Sequence, residues 1–236
     1  MIQDSVFAEH EGNQWFERNS AALSHADRLR HDPVLRLIDL AGLMPVQVLE
    51  IGASNGYRLQ TLHTTYGCAA TAVEPSLAAI NDGRARYPAI RFVQGVANDI
   101  PLAATERFDL VIVNFVLHWI DRTTLLRSVA EIDRLVQDGG YLIIGDFYPA
   151  APERVPYHHL PQAGIWTYKQ DYPQLFLASN LYALVAQHAF HHATQQFQAD
   201  VAPNERAQVA LLRKTLTAHY QSVALHTLDG TPPKAL

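Results

Sequence analysis

Val46-Gln-Val-Leu-Glu-Ile-Gly-Ala-Ser-Asn-Gly56 opens as an apolar, β-branched run and breaks at Gly52 into small residues. The run reads as a short strand, the small residues as a tight turn, and the stretch that follows, 57–66, as a helix. Small residues let a backbone come close to a bulky ligand, and the unpaired N–H groups of a helix beginning near Tyr57 face the same place. Glu50, at the end of the strand, adds a strong acceptor for hydroxyl or ammonium donors. By itself this stretch describes a strand end that holds a nucleotide-like ligand.

The segments on either side repeat the same rhythm. Apolar runs at 69–74, 90–95, 108–115 and 141–147 read as further strands, and 108–115, Phe-Asp-Leu-Val-Ile-Val-Asn-Phe, is apolar enough for the centre of a parallel sheet. A helix starting at Pro75 or Ser76 follows the second strand, and another over 123–136 is expected to stop at Asp138-Gly139-Gly140. Upstream, Asp32 caps a helix that Pro33 opens and that runs to about Leu43. Residues 5–31 read as one or two helices carrying Val6, Phe7, Trp15, Phe16, Leu23 and Leu29. Strands alternating with helices predict a parallel sheet covered on both faces.

The rhythm changes after Asp146. Five prolines between 148 and 173 predict a long structured loop, with a short helix over 171–179. Strands at 181–193 and 205–215, joined through Ala202-Pro203-Asn204, predict an antiparallel pair. The expected fold is therefore α/β, a Rossmann-like, seven-stranded, mostly parallel sheet with its last strand pair antiparallel. One domain over 1–236 would comprise a helical cap (1–44), a cofactor-binding core (45–147), a substrate loop or lid (148–180), a terminal hairpin (181–215) and a tail (216–236).

Composition narrows the partners. The 236 residues carry a formal charge of −5 with no Lys/Arg run, which disfavours nucleic acid. Met1-Ile2-Gln3-Asp4-Ser5 has neither a basic nor an apolar leader region, and no stretch approaches about 18 consecutive apolar residues, so no membrane span is expected. Cys68 is the single cysteine, consistent with a reduced cytoplasmic protein, monomeric or homodimeric. The adjacent pairs His158-His159 and His191-His192 do not converge on one metal, and no metal is expected.

The turn excludes one competitor by spacing. A dinucleotide fingerprint, G-x-G-x-x-G counted from Gly52, meets Ser54 and Tyr57 where glycines belong. The pattern that fits is acid-x-Gly-x-small-x-Gly: Glu50, Gly52, Ser54, Gly56. In this the chain resembles the class I S-adenosylmethionine-dependent methyltransferases, with Ser54 in place of the usual middle glycine. Thr71-Ala-Val-Glu-Pro-Ser76 is similar to the family's second strand with its ribose-binding acid, here Glu74. Gly95-Val-Ala-Asn-Asp-Ile-Pro-Leu102 resembles the adenine segment, with Val96 where many relatives carry an acid, and 108–119 resembles the fourth strand and active-site loop.

The resemblance implies S-adenosylmethionine, leaving as S-adenosylhomocysteine, held by Arg18, Glu50, Gly52, Ala53, Ser54, Asn55, Gly56, Glu74, Pro75, Ala97, Asn98, Asp99, Asn114, Phe115 and Trp119. Arg18 belongs to Gln14-Trp-Phe-Glu-Arg-Asn19, which resembles the helix closing over the cofactor; a solvated helix charge is its alternative. It also implies transfer of the methyl group to a small-molecule acceptor, with oxygen the expected atom, on a hydroxyl or carboxyl. His118 is the candidate general base, against a packing role beside the cofactor. Asp146, Tyr148, Trp166 and Tyr168 are the candidate acceptor contacts. Two rival readings are a non-catalytic scaffold that kept the fold and an NAD-dependent oxidoreductase.

Overall fold

The computed structural model describes residues 3–23, 29–161 and 164–223. Seven strands form one sheet: β1 (Gln47–Ile51), β2 (Ala69–Glu74), β3 (Arg91–Gln94), β4 (Phe108–Asn114), β5 (Val136–Phe147), β8 (Tyr182–His191) and β9 (Arg206–Lys214). Their order is β3-β2-β1-β4-β5-β9-β8. The first five are parallel, and β9 runs antiparallel to both β5 and β8. Chain direction along the sheet reverses between β1 and β4, the place where open α/β sheets keep their ligand crevice.

The sheet is buried on both faces by a period of two. Leu49 and Ile51, Val111 and Val113, and Leu142 and Ile144 pack into one core with the helix Leu125–Leu135. Val48, Leu110, Ile112 and Ile143 pack into the other, with helices Pro33–Leu40 and Tyr57–Tyr66. Asp32 caps the first of these by accepting from the backbone N–H groups of Val34 and Leu35. Ser76 caps Leu77–Arg86 by accepting from Ala79 N–H.

Two local expectations need correction. The helix expected to stop at the glycines ends at Leu135, and β5 begins at Val136, so Gly139 and Gly140 lie inside a strand. A register shift between Phe108 and Leu110 explains them: the strand bulges there, and Gly139 takes the left-handed φ of 79° that the bulge requires. The proline-rich stretch after Asp146 also holds a second sheet, β6 (Glu153–Pro156) paired with β7 (Trp166–Lys169). Tyr157 N–H donating to Ile165 O closes its hairpin, and the Arg154 guanidinium lies 4.4 Å from the centre of the Trp166 ring. The short helix expected over 171–179 is Pro173–Leu177.

At the amino end, Gln3–Val6, a π-helical turn Phe7–Glu11 and the helix Gly12–Leu23 run on from one another. This segment lies across the carboxyl ends of the parallel strands. Asn13 Oδ1 accepts from Ser76 Oγ and Ala78 N–H, Gln3 binds the backbone of Trp119 and Trp166, and Phe7 stacks on Trp119 at 4.9 Å. Of the expected tail 216–236, residues 224–236 lie outside the described residues.

Candidate active site

Residues 52–56 after β1 make the tight turn that the small residues imply. Gly52 and Gly56 have φ of 71° and 76°, and Ser54 has 52°, so a side-chain residue sits where the backbone favours glycine. A Cβ on Gly52 would stand 2.4 Å from Val116 Cγ2, and one on Gly56 2.8 Å from Phe92 Cζ. These two glycines are thus required by φ and by neighbouring side chains of the protein itself.

Glu50 shares the sheet face of Val48, and parity directs it beneath the first turn of helix Tyr57–Tyr66. There Arg58 joins it to Asp32: the guanidinium bonds Asp32 Oδ2 at 3.0 Å through Nη2 and at 3.1 Å through Nε, and pairs with Glu50 Oε1 through Nη1. All three residues are buried. Burial raises the Glu50 carboxyl from its ordinary 4.5 to about 7, with Arg58 pulling the other way. Its second oxygen, Oε2, is buried with no partner.

Glu74, at the end of β2, accepts from Ser54 N–H at 2.8 Å and Ser76 N–H at 3.0 Å. Burial raises it too to about 7, against those two donors. It therefore ties the turn after β1 to the start of the next helix. Asn55 donates to Asp82 and keeps Oδ1 buried and unpartnered, as is Ser54 Oγ.

Beyond β4 the chain turns sharply, with Phe115 at φ 54°, into the short 3-10 helix Leu117–Trp119. Asp146, fully buried at the end of β5, accepts from His118 N–H at 3.3 Å, and its Oδ1 lies 3.0 Å from His118 Nδ1. That last contact is close but poorly aligned as a hydrogen bond. Asn114 Oδ1 and Trp119 Nε1 are buried without partners.

The helical segment over the strand ends supplies groups of its own. Glu11 is 1% exposed, accepts from Tyr157 Oη at 2.6 Å, pairs with Arg18, and keeps Oε2 unpartnered. Burial and the hydrogen bond to Glu11 raise the Tyr157 phenol, which stays neutral. Trp119 is ringed by Phe7, Trp15, Tyr157 and His118.

The geometry therefore gathers Glu50, Ser54, Asn55, Glu74, Asn114, His118 and Trp119 at the carboxyl ends of β1, β2 and β4. Other expected residues face elsewhere. Arg18 pairs with Glu11 and Tyr157, Asn98 donates to Asp4, and Asp99 lies exposed 3.5 Å from Arg127. Ala97 is buried in the core, and Pro75 O accepts from Gln94. Tyr148, Trp166 and Tyr168 each carry an arginine on the ring face: Arg206, Arg154 and Arg122. Among the described residues, no group of three or more His, Cys, Asp or Glu is arranged to hold a metal, and no helix is long and apolar enough to cross a membrane.

Glu11 and Arg58 are the participants that the sequence did not single out. A cation in the first turn of a helix opposes the macrodipole, so Arg58 carried a readable sign of a buried anionic partner. Glu11 carried none.

Residues 49–144 match the family described as a methyltransferase domain. A curated relative, the demethylmenaquinone methyltransferase of Renibacterium salmoninarum, is 30% identical over 112 residues, 47% of this chain. The chain spans about half the length of that relative, 46%. Among solved structures, the 1,6-didemethyltoxoflavin-N1-methyltransferase of Burkholderia thailandensis aligns with a TM-score of 0.64 at 19% identity, covering 89% of this chain and 88% of its own. The N-methyltransferase NodS of Bradyrhizobium japonicum WM9, in complex with S-adenosyl-L-homocysteine, aligns at 0.56 and 19%, covering 86% and 97%. These two likenesses are likenesses of fold.

Proposed function

We propose that this chain, with its methyltransferase domain over 49–144 set in the class I S-adenosylmethionine-dependent fold, moves a methyl group from S-adenosylmethionine to a small molecule. The observation that carries the reading is where buried polar atoms go unpartnered. Among the described residues these are Glu11 Oε2, Glu50 Oε2, Ser54 Oγ, Asn55 Oδ1, Asn114 Oδ1, His118 Nδ1, Trp119 Nε1 and Arg134 Nη1. All but Arg134 belong to the strand ends or to the segment covering them, and of these only His118 Nδ1 has a polar neighbour already described, Asp146 at 3.0 Å. Buried polar atoms are normally satisfied, so such a concentration marks the place of a polar ligand.

The donor set fits the cofactor. Glu50 Oε2 and Asn55 Oδ1 are acceptors for an ammonium, Glu74 for ribose hydroxyls, and Trp119 Nε1 is a donor for a carboxylate. When bound, S-adenosylmethionine supplies a methyl group made electrophilic by its sulfonium. The protein's part is to orient, to exclude water and to handle one proton. The covering segment, latched by Gln3, Asn13 and Phe7, excludes water. We read the acceptor as oxygen, since His118, with Asp146 beside Nδ1, has Nε2 left to take a hydroxyl proton. An already ionised carboxyl acceptor would not need that base.

The test is a thermal-shift titration. S-adenosylhomocysteine is expected to raise the melting temperature and NAD to leave it unchanged. No shift with S-adenosylhomocysteine refutes the reading, and a shift with NAD alone makes the chain an oxidoreductase instead.

A further inference from the structure

The ends of β4 and β5 and the turn after β8 bring together three rings from distant parts of the chain. Phe115 and Phe147 lie 5.3 Å apart at 77°, Phe115 and His192 5.3 Å at 68°, and Phe147 and His192 4.8 Å at 38°. His118 stands behind them, 5.0 Å from Phe147 and 5.9 Å from Phe115. Phe115, which also packs on buried Phe190, and Phe147 are half-buried, and His192 reaches solvent, so the rings form a cluster at the edge of the core rather than inside it. Lys169 Nζ lies 4.9 Å from the centre of the Phe147 ring.

A core would hide such rings completely, and a protein surface rarely groups them. Phe115 is also held at a left-handed φ, a conformation that bulky residues seldom keep without a functional reason. The three rings meet one another edge-to-face and at a tilt, and the parts of them left uncovered offer the same contacts to a further aromatic ring. A saturated ring of equal size offers no quadrupole to meet them. The ammonium of Lys169 beside them is ion-paired with Glu153, 3.4 Å away.

We propose that Phe115, Phe147 and His192 form the acceptor subsite, and that it takes a planar hydroxyaromatic compound with its hydroxyl directed to His118. This rests on the methyltransferase reading above. Methylation there forms one oxygen–carbon bond as the donor's sulfur–carbon bond breaks with its electron pair left on sulfur. The hydroxyl proton goes to His118 Nε2, and Asp146, 3.0 Å from Nδ1, supports the charged imidazole. Burial of its ring face, with the charges of His118 and Lys169, lowers the His192 pKa, so His192 serves as a neutral ring.

Calorimetry on the full chain with S-adenosylhomocysteine compares 2-naphthol with decahydro-2-naphthol, its saturated counterpart. The aromatic compound is expected to bind about ten-fold tighter. Phe147→Leu keeps the apolar volume and removes the ring, and His192→Leu removes the second ring at an exposed position. Each is expected to shrink the preference to about three-fold or less. Equal binding of the two compounds, or a preference untouched in both variants, overturns the subsite. Tighter binding of 2-naphthoate than of 2-naphthol overturns the hydroxyl assignment, leaving Lys169 as a carboxylate clamp. If S-adenosylhomocysteine stabilises the protein and the aromatic preference is absent, this inference falls alone. If S-adenosylhomocysteine gives no stabilisation, the reading beneath it falls.

Discussion

Replacing Arg58 by Met tests the buried charge network under the turn. Arg58 is 4% exposed, Asp32 3% and Glu50 1%, so removing the guanidinium strands two carboxylates away from water. Asp32 keeps the N–H donors of Val34 and Leu35, whereas Glu50 loses its only hydrogen-bonding partner among the described residues. Removing one partner of a buried pair costs about 3–5 kcal/mol, which lowers the melting temperature of a chain this long by roughly 10 °C. The loss also depends on pH, and its sign is fixed. Glu50 already titrates near 7 rather than 4.5, and without Arg58 its folded-state pKa rises further. A raised carboxyl contributes stability in full below its unfolded pKa and loses it as pH rises through the folded value. Arg58→Met is therefore expected to cost most at pH 8 and clearly less at pH 5, measured by urea unfolding. Glu50→Gln in the same background should recover part of the loss at pH 8. A loss below about 1 kcal/mol, or one equal at both pH values, would refute the reasoning.

Glu74, raised from 4.5 to about 7 by burial, makes folding less favourable by about 3 kcal/mol as pH rises from 5 to 8; Glu74→Gln is expected to flatten that part of the pH–stability curve and to weaken S-adenosylhomocysteine binding, both read by thermal shift. Ser54→Gly relieves a left-handed side-chain residue and is expected to change unfolding free energy by about 0–1 kcal/mol in the stabilising direction; a clear destabilisation would mean that the Ser54 hydroxyl matters more than its φ. Tyr157→Phe removes a hydrogen bond to buried Glu11, so the covering segment should be cut about five- to ten-fold faster in limited proteolysis, with an unchanged rate counting against a latch. S-adenosylmethionine is expected to bind tighter than S-adenosylhomocysteine by a margin that grows from pH 6 to pH 8, and a constant ratio by calorimetry would contradict the charge argument below.

The sheet was legible because its two signals are local. Near-continuous runs of apolar residues, Val48-Leu-Glu-Ile51 broken only by Glu50 and 108–115, mark strands buried on both faces, and glycine spacing at 52 and 56 marks the turn. What escaped was fixed at long range. The strand β6 is exposed along its length and so has no alternating apolar face to read; only pairing with Trp166–Lys169 makes it a strand. Glu50 was readable as an acid at a strand end, but its bond to Arg58 depends on which sheet face its position assigns it. The aromatic cluster draws Phe115, Phe147 and His192 from three separate segments, and no spacing in the chain announces that they meet. His192 reads in sequence only as half of an adjacent histidine pair that does not converge on one metal, and its ring meets Phe115 edge-on and Phe147 at a tilt.

The charges at the strand ends do not balance, and the imbalance bears on which ligand belongs there. Glu11, Glu50, Glu74 and Asp146 are all buried. Against them stand Arg58, shared between Glu50 and Asp32, and Arg18, a third of whose side chain is exposed. Among the described residues, Glu74 accepts hydrogen bonds from two backbone N–H groups, and Asp146 meets His118 and backbone donors. Burial makes an ionised carboxylate costly, and it raises Glu50 and Glu74 both to about 7. A ligand that brings positive charge reverses that cost. At an effective dielectric near 20, each nearby ionised carboxylate favours a cation by about 1–4 kcal/mol. S-adenosylmethionine carries a sulfonium in addition to its ammonium and carboxylate, and S-adenosylhomocysteine lacks it. On the proposed reading, the same surplus of acid that weakens the protein as pH rises through 7 favours the charged donor and loosens the neutral product, so that transfer of the methyl group would itself lower the affinity that held the donor in place.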